Sequence, residues 1–98
     1  MVKRVEWRLK ALRHLGEILS YLKNEVSQQA ASNLAETIQK KIKQLEKQPL
    51  IGRKSVKGKT IRLINIDKNR QMFYSVNGST LFIVDFFDTR QDPNKRPF

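Results

Sequence analysis

Residues 60–87 read TIRLINIDKNRQMFYSVNGSTLFIVDFF, and apolar residues recur at every second position over most of this run. This period of two predicts three β-strands, at residues 60–66, 70–77 and 80–87. The turns between the strands fall at Asp67-Lys68-Asn69 and at Asn77-Gly78, and Asn-Gly is the strongest short signal for a β-hairpin. The sequence therefore predicts a three-stranded antiparallel meander. Its last strand is apolar on both faces, which favours a central position in the sheet.

Upstream of the meander, the apolar residues change to a spacing of three and four, which predicts two helices. The first runs from Leu9 to about Asn24, with an apolar stripe of Ala11, Leu12, Leu15, Ile18, Leu19 and Leu22. Ser27 is the predicted N-cap of the second, which extends to about Lys47 before Pro49 ends it. Its stripe consists of Ala31, Leu34, Ile38, Ile42 and Leu45. Because a short turn joins the two helices, we expect an antiparallel hairpin that covers one face of the sheet.

The remaining segments are a short strand at residues 2–7, which could pair beside the last strand, a loop at residues 50–59 and an aperiodic tail from residue 88. A chain of 98 residues supports one hydrophobic core, so a single domain is expected over residues 1–98. The predicted class is α+β, with an N-terminal strand and an antiparallel helical hairpin packed on a mainly antiparallel sheet that ends in the meander.

Positive charge dominates the composition. Twenty Lys and Arg stand against nine Asp and Glu, which gives a formal net charge of +11, and both halves of the chain are basic. Such a field attracts polyanions, so nucleic acid, a ribosome or an acidic protein is the expected partner, unless the charge serves solubility alone. The chain has no cysteine and no apolar run long enough to span a membrane. We therefore expect a cytoplasmic protein with no metal site, cofactor or membrane partner.

The order of these features resembles the RelE/ParE toxins of bacterial type II toxin–antitoxin pairs. Trp7 closes the first strand, Ala30-Ala31 lies near the start of the second helix, and Pro49 and Gly52 follow its end. The stretch from Arg70 to Val76 resembles the Arg, Tyr and Val strand of the family, and Arg90-Gln-Asp-Pro93 resembles its Arg-x-x-Pro ending. The resemblance implies a growth-inhibiting toxin of the plasmid-stabilisation type that a cognate antitoxin neutralises.

Two activities are implied within this superfamily, and the fold does not decide between them. RelE-like members are ribosome-dependent endoribonucleases that cut messenger RNA without a metal, whereas ParE-like members inhibit DNA gyrase. For the nuclease, the resemblance implies catalytic roles for Arg62, Arg70 and Arg90, which would stabilise the charge on a phosphate under attack. These arginines could instead pair with nearby carboxylates such as Asp88. No Tyr or His follows Arg90 and the second helix is long, so the ParE-like activity is preferred.

A basic nucleic-acid-binding module without toxicity is the third alternative, although most aromatic residues of the predicted sheet suit a core rather than a stacking surface. Contacts with a target or with nucleic acid are predicted for the basic residues of the loop and the tail, which are Arg53, Lys54, Lys57, Lys59, Lys95 and Arg96. We interpret His14, Trp7 and Tyr74 as structural residues.

Overall fold

The fold places a helical hairpin on a five-stranded sheet, in a computed structural model that describes residues 1–58 and 60–98. The elements are β1 (Arg4–Trp7), α1 (Leu9–Glu25), α2 (Gln28–Lys47), β2 (Arg53–Lys54), β3 (Arg62–Asn65), β4 (Arg70–Asn77), β5 (Thr80–Asp88) and a 3₁₀ turn (Pro93–Lys95). The strand order is β1-β5-β4-β3-β2. β1 is parallel to β5, and the other neighbouring strands are antiparallel. The predicted α+β class, helical hairpin and meander are confirmed.

The two apolar faces of β5 predicted a central position, and β5 is an interior strand, with β1 paired to one of its edges and β4, the middle strand of the five, to the other. On the face covered by the helices, Leu81 and Ile83 are fully buried in the main core. On the opposite face, Phe87 belongs to a smaller cluster with Leu63 and Phe73. The sheet therefore separates a large core from a small one, and β5 contributes to both.

The two helices differ in how much of their predicted stripe is buried. Ser27 caps α2 as predicted, with its Oγ accepting a hydrogen bond of 3.0 Å from the amide of Ala30. All five apolar residues predicted for the α2 stripe are buried. In α1 only Ala11 and Leu22 are buried, and the prediction for Leu12 was wrong because its side chain is 50% exposed. Leu12 lies about 100° around the helix from Ala11, so it leaves the line that faces the sheet.

Three local features depart from the prediction for the second half of the chain. The predicted loop at residues 50–59 contains the two-residue strand β2, and β3 is shorter than the predicted strand at residues 60–66. The pairing of β4 with β5 also skips one residue, since Phe73 lies opposite Asp85 whereas Tyr74 lies opposite Ile83. Val84 is therefore the extra residue of a β-bulge. None of the helices described by the structure is long and apolar enough to cross a bilayer.

Candidate functional site

A groove of about 530 Å³ lies between α1 and the paired ends of β4 and β5. It brings together two of the three predicted catalytic arginines, Arg70 from the start of β4 and Arg90 from the segment after β5. The predicted contact residue Lys95 lines the same groove. From α1 the groove receives His14 and Tyr21. It is thus the place where the family resemblance would put a reactive centre.

Both arginines of the groove are already paired with carboxylates of the chain. The Arg70 guanidinium donates to Asp67 at 2.9 Å, and its side chain is only 17% exposed. Arg90 binds Asp88 through two parallel bonds, Nε to Oδ1 at 3.0 Å and Nη2 to Oδ2 at 2.6 Å. The hydrogen bonds from Arg90 lower the pKa of the Asp88 carboxyl, more strongly than partial burial raises it. An incoming phosphate would therefore have to compete with carboxylates that are already in place.

Arg62 lies outside this groove, on a surface between β3 and the segment before β2. Its Nη1 donates to the carbonyl oxygens of Leu50 at 3.2 Å and of Gly52 at 2.8 Å. The Tyr74 hydroxyl reaches the same segment, donating to the Pro49 carbonyl at 2.7 Å and accepting from the Gly52 amide at 2.9 Å. Burial raises the pKa of Tyr74. Arg62 therefore lies apart from Arg70 and Arg90, and its guanidinium is hydrogen-bonded to backbone carbonyls.

A buried carboxylate in the groove was missed by the sequence analysis. Asp85 is 1% exposed, and its Oδ1 lies 2.6 Å from His14 Nδ1 and accepts from the Phe86 amide at 2.8 Å. Lys10 Nζ lies 3.5 Å from the other carboxylate oxygen. Asp85 lies two residues after Ile83, so it projects from the face of β5 that the helices cover, where these partners lie. A lone Asp within the apolar run of β5 was the one signal that could have indicated a buried polar contact.

The predicted contact residues fall into two groups. Arg53 and Lys54 on β2 and Lys57 in the following loop are exposed, and Lys59 lies outside the described residues. The tail residues differ, because Lys95 is exposed whereas Arg96 is half-buried with its guanidinium 5.7 Å from the ring centre of Phe73. The ring of Phe98 lies 5.6 Å from the same ring. The end of the tail therefore covers the smaller core.

The family-model match and the similar solved structures agree on one class of protein. The chain matches the family model of the ParE toxin of type II toxin–antitoxin system, parDE, over residues 5–93. A solved structure from the chromosomal ParDE TA system from P. aeruginosa is similar, with a TM-score of 0.74 and 18% identity over 89% of this chain and 96% of that chain. The structure of the YoeB/ParE toxin from Agrobacterium tumefaciens is also similar, with a TM-score of 0.65 and 14% identity over 88% of this chain and 98% of that chain. No curated protein matches the sequence. At these identities the structural likeness concerns the fold alone.

Proposed function

This chain belongs to the ParE toxin family of type II toxin–antitoxin systems, and we propose that it acts by inhibiting DNA gyrase and that a cognate antitoxin holds it inactive. Release of such a toxin in cells that lose the pair arrests their growth, which would account for a plasmid-stabilising role. The proposed target is cytoplasmic, so we place the toxin in the cytoplasm as well.

The observation that supports gyrase inhibition over message cleavage is the state of the three predicted catalytic arginines. Arg70 and Arg90 form ion pairs with carboxylates, and Arg62 donates to two backbone carbonyls. A phosphate that bound these guanidinium groups would have to displace hydrogen bonds that are already formed. A nuclease gains rate from cations that are free to stabilise charge as it develops in the transition state. Guanidinium groups that are already neutralised are poorly suited to that task.

One observation favours the alternative, a ribosome-dependent ribonuclease acting on messenger RNA. His14 lines the same groove as Arg70 and Arg90, its Nδ1 is held by Asp85, and its Nε2 has no hydrogen-bond partner within residues 1–58 and 60–98. A histidine in this arrangement can act as a general acid or base. It could take the role that the family resemblance gives to a Tyr or His near Arg90.

Exposed apolar residues on the helical hairpin support an antitoxin partner. Leu9 is 77% exposed, Leu12 50%, Tyr21 61% and Val26 62%. An antitoxin segment rich in acidic and apolar residues would cover these side chains, and the net charge of +11 would speed its association. Segments of this kind usually fold as they bind. Co-purification with the product of the adjacent gene tests this proposal, and a stable complex with a basic partner lacking amphipathic segments would contradict it.

The activity is tested by a supercoiling assay with purified gyrase, together with primer extension on messages from cells that express the toxin alone. We expect growth arrest, inhibited supercoiling and intact messages. If the chain were instead a nuclease, Arg70→Ala or Arg90→Ala would reduce cleavage by about a hundredfold. Arg13→Ala, at an exposed position of α1, is the matched control. Codon-phased cuts that disappear in Arg70→Ala or in His14→Gln, but persist in the control, would contradict gyrase inhibition and support message cleavage as the activity.

A further inference from the structure

Positive charge without compensation is concentrated around the edge strand β2. Residues 47–66 contain six Lys or Arg and no Asp or Glu. Arg53, Lys54 and Lys57 are exposed, and within the described part of the chain none of the three forms an ion pair. Together with Lys41 of α2, we call these four residues the basic edge. The groove differs from it, because both groove arginines are paired.

A cleft of about 310 Å³ lies within this surface, between α2 and the strands β2 and β3. Its charged lining residues are Lys41 and Arg53, and its amide-bearing lining residues are Gln44 and Asn65, which are both exposed. None of the described residues that line the cleft is a carboxylate, whereas three carboxylates line the groove at α1. Lys and Arg side chains together with Asn and Gln amides are the groups that proteins use to contact phosphate oxygens. The cleft is therefore suited to an anion.

We propose that the basic edge binds the phosphate backbone of double-stranded nucleic acid, independently of base sequence. A polyanion with regularly spaced charges matches a surface whose cations lie on a helix, a strand and a loop that adjoin one another. Residues 41–65 contain no aromatic residue, so the surface offers no ring on which unpaired bases could stack. The contact is thus with phosphates, and a duplex satisfies it without opening.

An acidic polypeptide is the alternative partner for the basic edge, and this surface has fewer features that would bind it. Peptide segments that add to a sheet need a row of open backbone groups, but β2 has only two residues. Peptide anchors also need an apolar pocket, but in this cleft Leu63 is 1% exposed and Ile51, at 47%, lies among two cations and two amides, so an apolar side chain finds little apolar surface to contact. Phosphates require neither of these features. Nucleic acid is therefore the better match.

The test measures binding of a labelled 20-base-pair DNA duplex by fluorescence anisotropy between 50 and 200 mM salt. Neutralising two phosphate contacts reduces the slope of log affinity against log salt by about 1.8. We therefore expect Arg53→Gln/Lys54→Gln to reduce the loss of affinity over this salt range by about twelvefold. The matched control is Arg13→Gln/Lys23→Gln, which removes the same charge from exposed positions of α1 and should leave the slope unchanged. Lys41→Gln alone should reduce the slope by about 0.9.

Each other outcome would overturn the proposal. Failure of the wild-type protein to bind the duplex at 50 mM salt excludes a phosphate-binding edge. An equal effect of the control shows that net charge, rather than this surface, is responsible. Loss of antitoxin binding in Arg53→Gln/Lys54→Gln with unchanged duplex binding would assign the surface to an acidic protein. Because gyrase inhibition and antitoxin binding are measured separately, failure here leaves the proposed function intact.

Discussion

Removing one hydroxyl group tests whether the segment before β2 is fixed as the structure describes. Tyr74 is fully buried in the main core, and its hydroxyl bonds both Pro49 and Gly52. Tyr74→Phe deletes these two hydrogen bonds and keeps the ring, so the core retains its packing. The substitution therefore isolates the contribution of the hydroxyl from that of the aromatic side chain.

The expected loss follows from what each partner can do without the hydroxyl. The Gly52 amide is buried, and an unsatisfied buried donor costs about 1–3 kcal/mol. The Pro49 carbonyl is half-exposed and can be hydrated, so its loss adds little. Arg62 still donates to the Gly52 carbonyl and holds part of the segment. We expect the free energy of unfolding to fall by about 2 kcal/mol, or the Tm by roughly 8–16 °C.

The same residue gives a pH dependence with a definite sign. Burial raises the pKa of Tyr74 above its ordinary value of 10.0. Above pH 10 the unfolded chain releases the phenolic proton while the folded chain retains it, so the folded state loses stability as pH rises. Phe has no proton to lose, so this component is absent from the variant. The difference in stability between the wild type and Tyr74→Phe should therefore shrink as pH rises above 10.

Urea denaturation followed by far-UV circular dichroism measures both effects. Tyr21→Phe is the control, because Tyr21 is 61% exposed and its substitution should change stability by less than about 0.5 kcal/mol. A loss below about 0.5 kcal/mol in Tyr74→Phe, with an unchanged m-value, would refute the account of the hydroxyl. A constant difference between the two proteins from pH 8 to 11 would refute the pH argument.

Three further predictions concern the groove and the tail. Phe98→Ala should lower the free energy of unfolding by about 1–2 kcal/mol, since a half-buried ring leaves the smaller core; an unchanged Tm would contradict the packing of the tail. Asp85→Asn should cost about 1–3 kcal/mol in urea denaturation, because His14 and the Phe86 amide lose their charged acceptor and an amide NH₂ group replaces the oxygen that lies 3.5 Å from Lys10 Nζ. Arg90 lowers the pKa of Asp88, so the wild type should lose stability when acid protonates this carboxyl. Arg90→Gln should reduce this acid-dependent loss, and identical curves of stability against pH for the two proteins would exclude the coupling.

The sheet and the second helix were predictable because their patterns are long. Eight residues in β4 and nine in β5 give enough alternation to identify a strand, whereas the two residues of β2 give none. The faces of Phe86 and Phe87 were beyond the same method, because Phe86 joins the main core and Phe87 the smaller one, the reverse of plain alternation from Ile83. One extra residue reverses the alternation of all that follow, and the bulge at Val84 becomes visible only when the register with β4 is known.

The groove was partly predictable for a similar reason. The resemblance to RelE/ParE toxins singled out Arg70 and Arg90, and the structure places them in one groove. Pairing of Arg90 with Asp88 was foreseeable, because the two residues are two positions apart. The partners of Arg62 were not, since they are backbone carbonyls of an irregular segment. A sequence shows which side chains carry charge, but it does not show which backbone groups will satisfy them.

The groove and the basic edge both contain basic residues, and they differ in whether carboxylates of the chain pair with those residues. A formal net charge of +11 is spread over both halves of the chain, yet the groove neutralises its own arginines whereas the basic edge does not. Unpaired cations retain their full attraction for an anion, so the edge is where a polyanion gains most. Gyrase acts on DNA. A toxin that contacts phosphates through this edge would meet the enzyme and its substrate together, and inhibition by Arg53→Gln/Lys54→Gln should then be weaker than inhibition by the wild type at equal concentration.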